Sequence, residues 1–268
     1  MVSSPSKHGS KATESSDHIA VVELNGEIAD GKDANADDII SGLTDAFEAK
    51  NSKAVVLRIN SPGGSPVQSG YVYEAIRQLR AKYPNKKLYA VTDIGASGAY
   101  YIAAAADHIY VSPASLVGSI GVIMQGFGVQ NLAQKIGIED RTMTAGSHKA
   151  IMNPMAAISP QEKAHVQKLL DTIHQQFITA VKQGRGQRLK ETPEMFSGLF
   201  WTGQQAVELG LADSFGSVKT VAKLVGTDEQ VNYTQSKNPM DNFIRKLGVT
   251  MGETVAAKLD LGSELKVR

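Results

Sequence analysis

Val91-Thr92-Asp93-Ile94-Gly95-Ala96-Ser97-Gly98-Ala99-Tyr100-Tyr101-Ile102-Ala103 is the stretch from which the rest of the chain is read. An apolar, β-prone run, Leu88-Tyr89-Ala90-Val91, leads into it, and Ala99 to Ala106 has the composition of a buried helix start. A strand that turns sharply into a helix exposes its turn residue and leaves the first helical N–H groups without partners. Gly95, Ala96 and Gly98 strip side-chain bulk from both flanks of Ser97, so a substrate backbone can approach its hydroxyl. The mechanics are those of a nucleophile elbow, although Gly95-Ala96-Ser97-Gly98 is not Gly-x-Ser-x-Gly. The same letters also describe a tight helix N-terminus capped by Ser97. The flanks have to decide.

On the N-terminal side, His18 to Leu24 predicts a strand ending at Asn25-Gly26, and Asp37 to Lys50 a helix with Ile39, Ile40, Leu43, Ala46 and Phe47 inward. Lys53 to Ile59 is a second strand, stopped by Asn60-Ser61-Pro62-Gly63-Gly64, and Ser69 to Tyr83 a second helix. On the C-terminal side come a short strand, His108 to Val111, and the segment Leu116 to Met124. This alternation predicts an α/β fold with a mostly parallel sheet and crossover helices. Ligands bind such sheets beyond the carboxyl ends of the strands. The turns at 61–64 and 95–98 both lie at that edge, which makes a site.

Farther on, Val129 to Ile136 predicts a helix, Glu139 to Thr144 a strand, and Ala145-Gly146-Ser147-His148-Lys149 a loop. Ser159-Pro160-Gln161-Glu162 opens a long amphipathic helix to about Gln183, with Val166, Leu169, Leu170, Ile173, Phe177 and Val181 as its stripe. Two helices follow, Thr202 to Leu209 closed by Gly210 and Val218 to Val225 closed by Gly226. The organisation expected is a disordered polar, Ser-rich lead-in at 1–17, one domain at 18–226 whose sheet core is followed by a C-terminal helical segment, and a C-terminal extension of unclear role at 227–268.

Composition narrows the function. Of 268 residues, 42% are hydrophobic and 21% charged, as in soluble globular proteins. A net charge of +1 and 6% aromatic residues, without basic–aromatic interleaving, speak against nucleic acid as a partner. The absence of cysteine excludes disulfides, thiolate catalysis and Cys-ligated metals. No stretch has the ~20 apolar residues of a membrane span, and the first residues lack a signal-peptide pattern. The chain as written is expected to be soluble.

A serine nucleophile needs a base. His8 lies in the polar tail, His18 opens the first strand, and His165 and His174 sit near the polar boundary of the long helix, where exposure is expected. His108 has no turn to aim it, whereas His148 lies in a loop and stays open. A lysine is the other choice, since a low-dielectric pocket can lower an amine's pKa toward neutrality. Lys149, in a small-residue loop, is that candidate. Asp93 is expected to satisfy the backbone of the Ser97 turn.

Five stretches together resemble the signal peptide peptidase A family of Ser/Lys-dyad serine peptidases, whose core is crotonase- and Clp-protease-like. They are Asn60 to Gly64, Asp93 to Ala103, Gly118-Ser119-Ile120-Gly121-Val122, Ala145 to Lys149, and Trp201-Thr202-Gly203-Gln204-Gln205-Ala206. The spacing of Ser97 and Lys149 is that of the family's short, single-domain type. The resemblance implies Ser97 as nucleophile, Lys149 as general base and Ser119 as the residue holding the lysine amine. It implies an oxyanion hole from the Gly64 and Gly98 amides, and peptide binding by strand addition around Gly63, Gly118 and Gly121. No metal or cofactor is implied. The implied partners are an apolar, extended peptide such as a signal-peptide remnant, further copies in a homo-oligomeric ring, and a membrane reached through an anchor absent from this chain. The location implied is the extracytoplasmic face of a bacterial inner membrane. Other readings are a catalytically spent scaffold or partner-binding member, and a peptidase acting on a membrane partner protein. A crotonase-type acyl-CoA hydratase or isomerase would want carboxylates at the oxyanion site, where the chain has Gly64 and Gly98.

Overall fold

The computed structural model describes residues 16–235, so the expected lead-in, apart from its last two residues, and the chain beyond Gln235 lie outside the described residues. Four strands form the centre of one sheet: β1 (His18–Asn25), β2 (Ser52–Ser61), β3 (Leu88–Ala96) and β4 (His108–Gly118). They pair in parallel, each with the next. The crossovers are α1 (Ala36–Glu48), α2 (Pro66–Lys82) and the short α3 (Gly98–Ala103). Asn35 caps α1 by accepting from the Asp38 N–H, and Ser65 caps α2 with Pro66 in its first turn. Ile39, Leu43 and Phe47 of α1 and Val72 and Ile76 of α2 pack over Val22, Leu24, Leu57 and Ile59 of the sheet. Each such burial contributes roughly 1.5–3 kcal/mol, and this face holds most of the core.

Three short strands complete the sheet. β5 (Phe200–Thr202) runs antiparallel to the end of β4, β6 (Ser214–Phe215) parallel to its start, and β7 (Gln230–Asn232) parallel to β1. The reading of 18–226 as the domain therefore stops short of β7. Tyr233, just beyond it, is buried, and its hydroxyl lies 3.1 Å from Nε2 of the buried His18. A three-residue edge strand is too short to carry a period.

Two further expectations change. β4 does not end at Val111 but continues to Gly118, with residues 112–115 bowed out opposite Asp93 of β3. The Ser115 hydroxyl stitches the bow by donating to the Thr92 carbonyl at 2.6 Å and accepting from the Ser112 N–H at 2.9 Å. Glu139 to Thr144 forms no strand. The Asp140 carboxylate accepts from the backbone and hydroxyl of Thr142 and from the Asn153 amide, so local side-chain bonds replace a ladder.

The helical C-terminal half consists of α4 (Gln130–Lys135), α5 (Pro160–Arg185), α6 (Gly203–Glu208) and α7 (Val218–Val225). Ser159 and Glu162 make the capping box that opens α5, and Gly226 closes α7 in the left-handed conformation. α7 covers the second face of the sheet, where Val221 and Ala222 meet Ile19, Val21, Val56 and Val91. The stripe of α5 is only half used. Phe177 and Val181 are buried, whereas Leu169 is 47% exposed. The C-terminal end of α5 is fixed by Arg185, whose fully buried guanidinium makes two 2.8 Å hydrogen bonds to Asp213 and a third to the Gly210 carbonyl.

Burial alone would raise the pKa of Asp213, but the Arg185 hydrogen bonds and charge outweigh it and hold the carboxyl below its usual range. Removing Arg185 leaves the buried Asp213 carboxylate with only the part-exposed Arg188 guanidinium, at 3.2 Å, as its cation. Arg185→Leu is therefore expected to lower the unfolding free energy by about 3 kcal/mol in urea. Because the folded pKa is depressed, the pair's contribution is complete above about pH 4 and is lost only as pH falls below that toward the folded value. The stability difference between wild type and Arg185→Leu should accordingly shrink in strong acid and not near neutrality.

Candidate active site

Three parallel strands end side by side, with Ser61 opposite Gly95 and Ala96 opposite Gly118. Each runs into a turn: Pro62 to Ser65 after β2, Ser97 alone between β3 and α3, and Ser119 to Gly121 after β4. Ser97 has φ 53° and ψ −125°, and Ser119 has φ 51°. Left-handed backbone at a residue with a Cβ costs of order 1–3 kcal/mol and persists only where the surroundings dictate it. Here the Ser97 N–H donates to the Gly118 carbonyl at 2.8 Å, and the Ser97 carbonyl accepts from Tyr101 at 3.0 Å. Ser97 occupies the cap position of α3 but makes no side-chain cap bond. The helix-cap reading fails, and the hydroxyl belongs to a cavity.

The neighbouring amides are held by backbone contacts. Ile28 donates to the Gly63 carbonyl at 2.9 Å and accepts from the Ser65 N–H at 2.7 Å. That bridge uses the residues on either side of Gly64 and leaves its N–H free. Gly98 opens α3, so its N–H has no partner within the helix. A Cβ on Gly98 would lie 3.4 Å from the Gly64 nitrogen, so the two amides are neighbours. A Cβ on Gly63, at φ 97°, would lie 2.7 Å from both the Ala96 oxygen and the Gly98 nitrogen. Only glycine fits there.

A cavity of about 120 Å³ opens on this ledge and is lined by Ser97, Gly64, Gly98 and Gly121, with Tyr101, Ile173 and Phe177 among its apolar walls. Gly63, Gly118 and Ser119 are not among the residues that line it. Sequence reasoning missed Ser69, whose buried hydroxyl donates to the Ser65 carbonyl at 2.9 Å and fills the space beside Gly98. Its only signal was a serine on the apolar face of α2. It also misplaced His174, which is half-buried rather than exposed. His174 Nε2 lies 3.0 Å from the Ile120 carbonyl and ties α5 to the Ser119 turn.

Other candidates lie elsewhere. Asp93 does not satisfy the turn; it is exposed at the bulge in β3, with Arg58 at 3.8 Å. His108 sits at the opposite end of the sheet, 2.9 Å from the Ser214 hydroxyl. Burial pushes its pKa down, against the pull of the Asp213 charge. His148 is exposed, 3.5 Å from the Glu162 carboxylate. Lys149 is also exposed and is not among the residues lining the Ser97 cavity. It lies in a segment, 123–157, in which Ala133 is the only buried residue. One chain thus brings together Ser97, Gly64, Gly98 and Gly121, and leaves Lys149 in solvent.

Residues 80–232 match the family model described as Peptidase family S49. The chain is 33% identical over 255 residues to slr0021 of Synechocystis sp., a protein named as a protease, covering 92% of this chain and 90% of that one. Protease 4 of Salmonella typhi is 32% identical over 202 residues, which are 74% of this chain and 32% of its own length. A Brucella melitensis protein named Na(+)/H(+) antiporter NhaA is 42% identical over 205 residues, 75% of this chain but 28% of that protein. The chain therefore spans under a third of the length of some of the relatives it matches.

The backbone contact at Gly63 can be tested against a glycine with open surroundings. Gly63→Ala is expected to cost about 2 kcal/mol or more in urea unfolding, since both φ strain and collision act. Gly26→Ala, at φ 83° with nothing within 4 Å, should lose no more than the strain alone, about 1 kcal/mol.

Proposed function

The chain belongs to peptidase family S49, and on that premise we propose that it is a serine endopeptidase with Ser97 as nucleophile. One observation carries the reading: an uncapped serine hydroxyl, on a left-handed residue between strand and helix, shares a cavity with two glycines whose amides are unused. Lys149 takes the Ser97 proton as the hydroxyl oxygen attacks a peptide carbonyl. The Gly64 and Gly98 N–H groups receive the oxyanion, where each donor is worth about 3–4 kcal/mol. The lysine ammonium then protonates the leaving amine, and water, with Lys149 again as base, releases the acyl group from Ser97. Ser119 holds the amine in line through its hydroxyl.

Lys149 reaches this site from outside the cavity of its own chain. The segment that carries it also exposes Ile123, Phe127, Leu132, Ile136 and Met143, an apolar surface that burial against a neighbouring copy would cover. We therefore assign the working form to a homo-oligomeric ring, in which packing of this segment delivers and desolvates the lysine. The substrate is an extended apolar peptide such as a signal-peptide remnant. Tyr101, Ile173 and Phe177 supply the apolar wall beside Gly121, and because β5 already pairs with β4 at Gly118 the peptide is held there by this wall and not by strand addition to β4. Among the described residues no helix is long and apolar enough to cross a membrane. Attachment to the extracytoplasmic face of the inner membrane would rest on an anchor outside them. The exposure of Lys149 also favours a second reading, a scaffold with a spent site.

A fluorophosphonate probe followed by mass spectrometry separates the two. The native chain should carry one adduct on Ser97, Ser97→Ala none, and Lys149→Ala should label about 10²–10⁴-fold more slowly. Absence of any adduct on the folded, assembled native chain would leave the scaffold reading in place.

A further inference from the structure

Beside the Ser97 cavity runs a larger groove of about 720 Å³ between α2 and α5, and the two share Tyr101 and Gln176 as a common wall. Its floor is aromatic, with the Tyr73 and Tyr101 rings meeting edge to face at 5.1 Å. Its α5 wall is one helical stripe from Lys168 to Gln183, about 22 Å at 1.5 Å per residue. Gln176, where the groove meets the cavity, stands mid-stripe, so the arm from Gln176 to Gln183 is about 10 Å, enough for about three residues of extended peptide. The stripe is rich in hydroxyls and amides. The hydroxyls of Thr172 and Thr179 are bonded back into the helix, each at 2.8 Å. Gln183 is held by Arg77 at 3.1 Å across the far end. The side-chain amides of Gln175 and Gln176 make no hydrogen bond among the described residues. A free side-chain amide presents one acceptor and two donors, the complement of a peptide backbone.

We propose that this groove continues the catalytic cavity and holds the extended polypeptide on one side of the scissile bond, with Gln176 at the junction binding its backbone. The inference rests on the peptidase reading of Ser97. Three features favour a peptide as the occupant. The groove is continuous with the cavity, it pairs an aromatic floor with an amide wall, and Lys168 offsets only one of the two carboxylates, Glu74 and Asp171, so it carries little charge.

The test uses the full chain carrying Ser97→Ala, which cannot cleave, and fluorescent apolar peptides of about twelve and about four residues, read by anisotropy. Thr179→Trp fills the groove between Gln176 and Gln183. It is expected to weaken the long peptide about tenfold and the short one less than about twofold. Gln176→Ala, a polar surface change that spares the fold, should weaken the long peptide as well. The groove assignment is overturned if neither variant changes long-peptide affinity, or if the long peptide binds no tighter than the short one. It is equally overturned if Thr179→Trp instead breaks up an assembly in sedimentation, which would give the groove to a second copy. Ser97 labelling of the native chain reports the peptidase reading separately. Groove-dependent binding without labelling removes the peptidase and keeps the groove; labelling without groove dependence does the reverse.

Discussion

No side chain fits between the turn that follows β2 and the turn that follows β3, and the site depends on that contact. At Gly63 backbone packs on backbone, so the Gly64 and Gly98 amides are set by main-chain geometry and not by rotamers. The Ile28 strap fixes the first turn, and the Ser97 bond to Gly118 fixes the second against the third. Donors held this way need little reorganisation when charge develops beside them. The strain of left-handed Ser97 and Ser119 is offset by a core in which the middles of β2 and β3, at 54–57 and 90–92, are buried on both faces.

Features of this fold were legible in the sequence to the extent that they are decided locally. β1, β2, β3, α1, α2 and α7 follow from short-range period and from turn residues such as Asn25-Gly26 and Gly226, although the caps Asn35 and Ser65 start α1 and α2 one and three residues earlier than expected. The second half of β4 does not, because its pairing depends on Ser115 reaching across to Thr92. Glu139 to Thr144 offers a strand only Thr142 and Thr144, and Asp140 satisfies the neighbouring backbone before a ladder can. Within the site, Ser97, Gly64 and Gly98 announce themselves through turn chemistry and Gly121 only through the family resemblance, and the four meet in one cavity. Ser69, His174 and Phe177 reach it only through the packing of α2 and α5, which no local pattern encodes. Lys149 carries no such packing in the single chain.

α5 works as a beam loaded at one end. Arg185 locks its C-terminus to Asp213, Phe177 and Val181 bed its middle in the core, and His174 links it to the turn bearing Ser119. Toward Ser159 its apolar positions come progressively out of the core. The Ser119 turn is thus braced from a helix whose anchorage lies on the far side of the molecule, at the base of β4.

The pairing of β1 with β7 has a consequence for how the chain is made. His18 and Tyr233 meet although 215 positions separate them. A ribosome working at 5–20 residues per second exposes β1 for roughly 10–40 s before its partner emerges. During that interval the Ile19–Val21 edge of β1 offers unpaired N–H and C=O groups, the kind of edge that recruits other chains. The nascent protein therefore needs shielding early, and loss of Gln230 to Tyr233 by trimming would return the finished protein to that same vulnerable state.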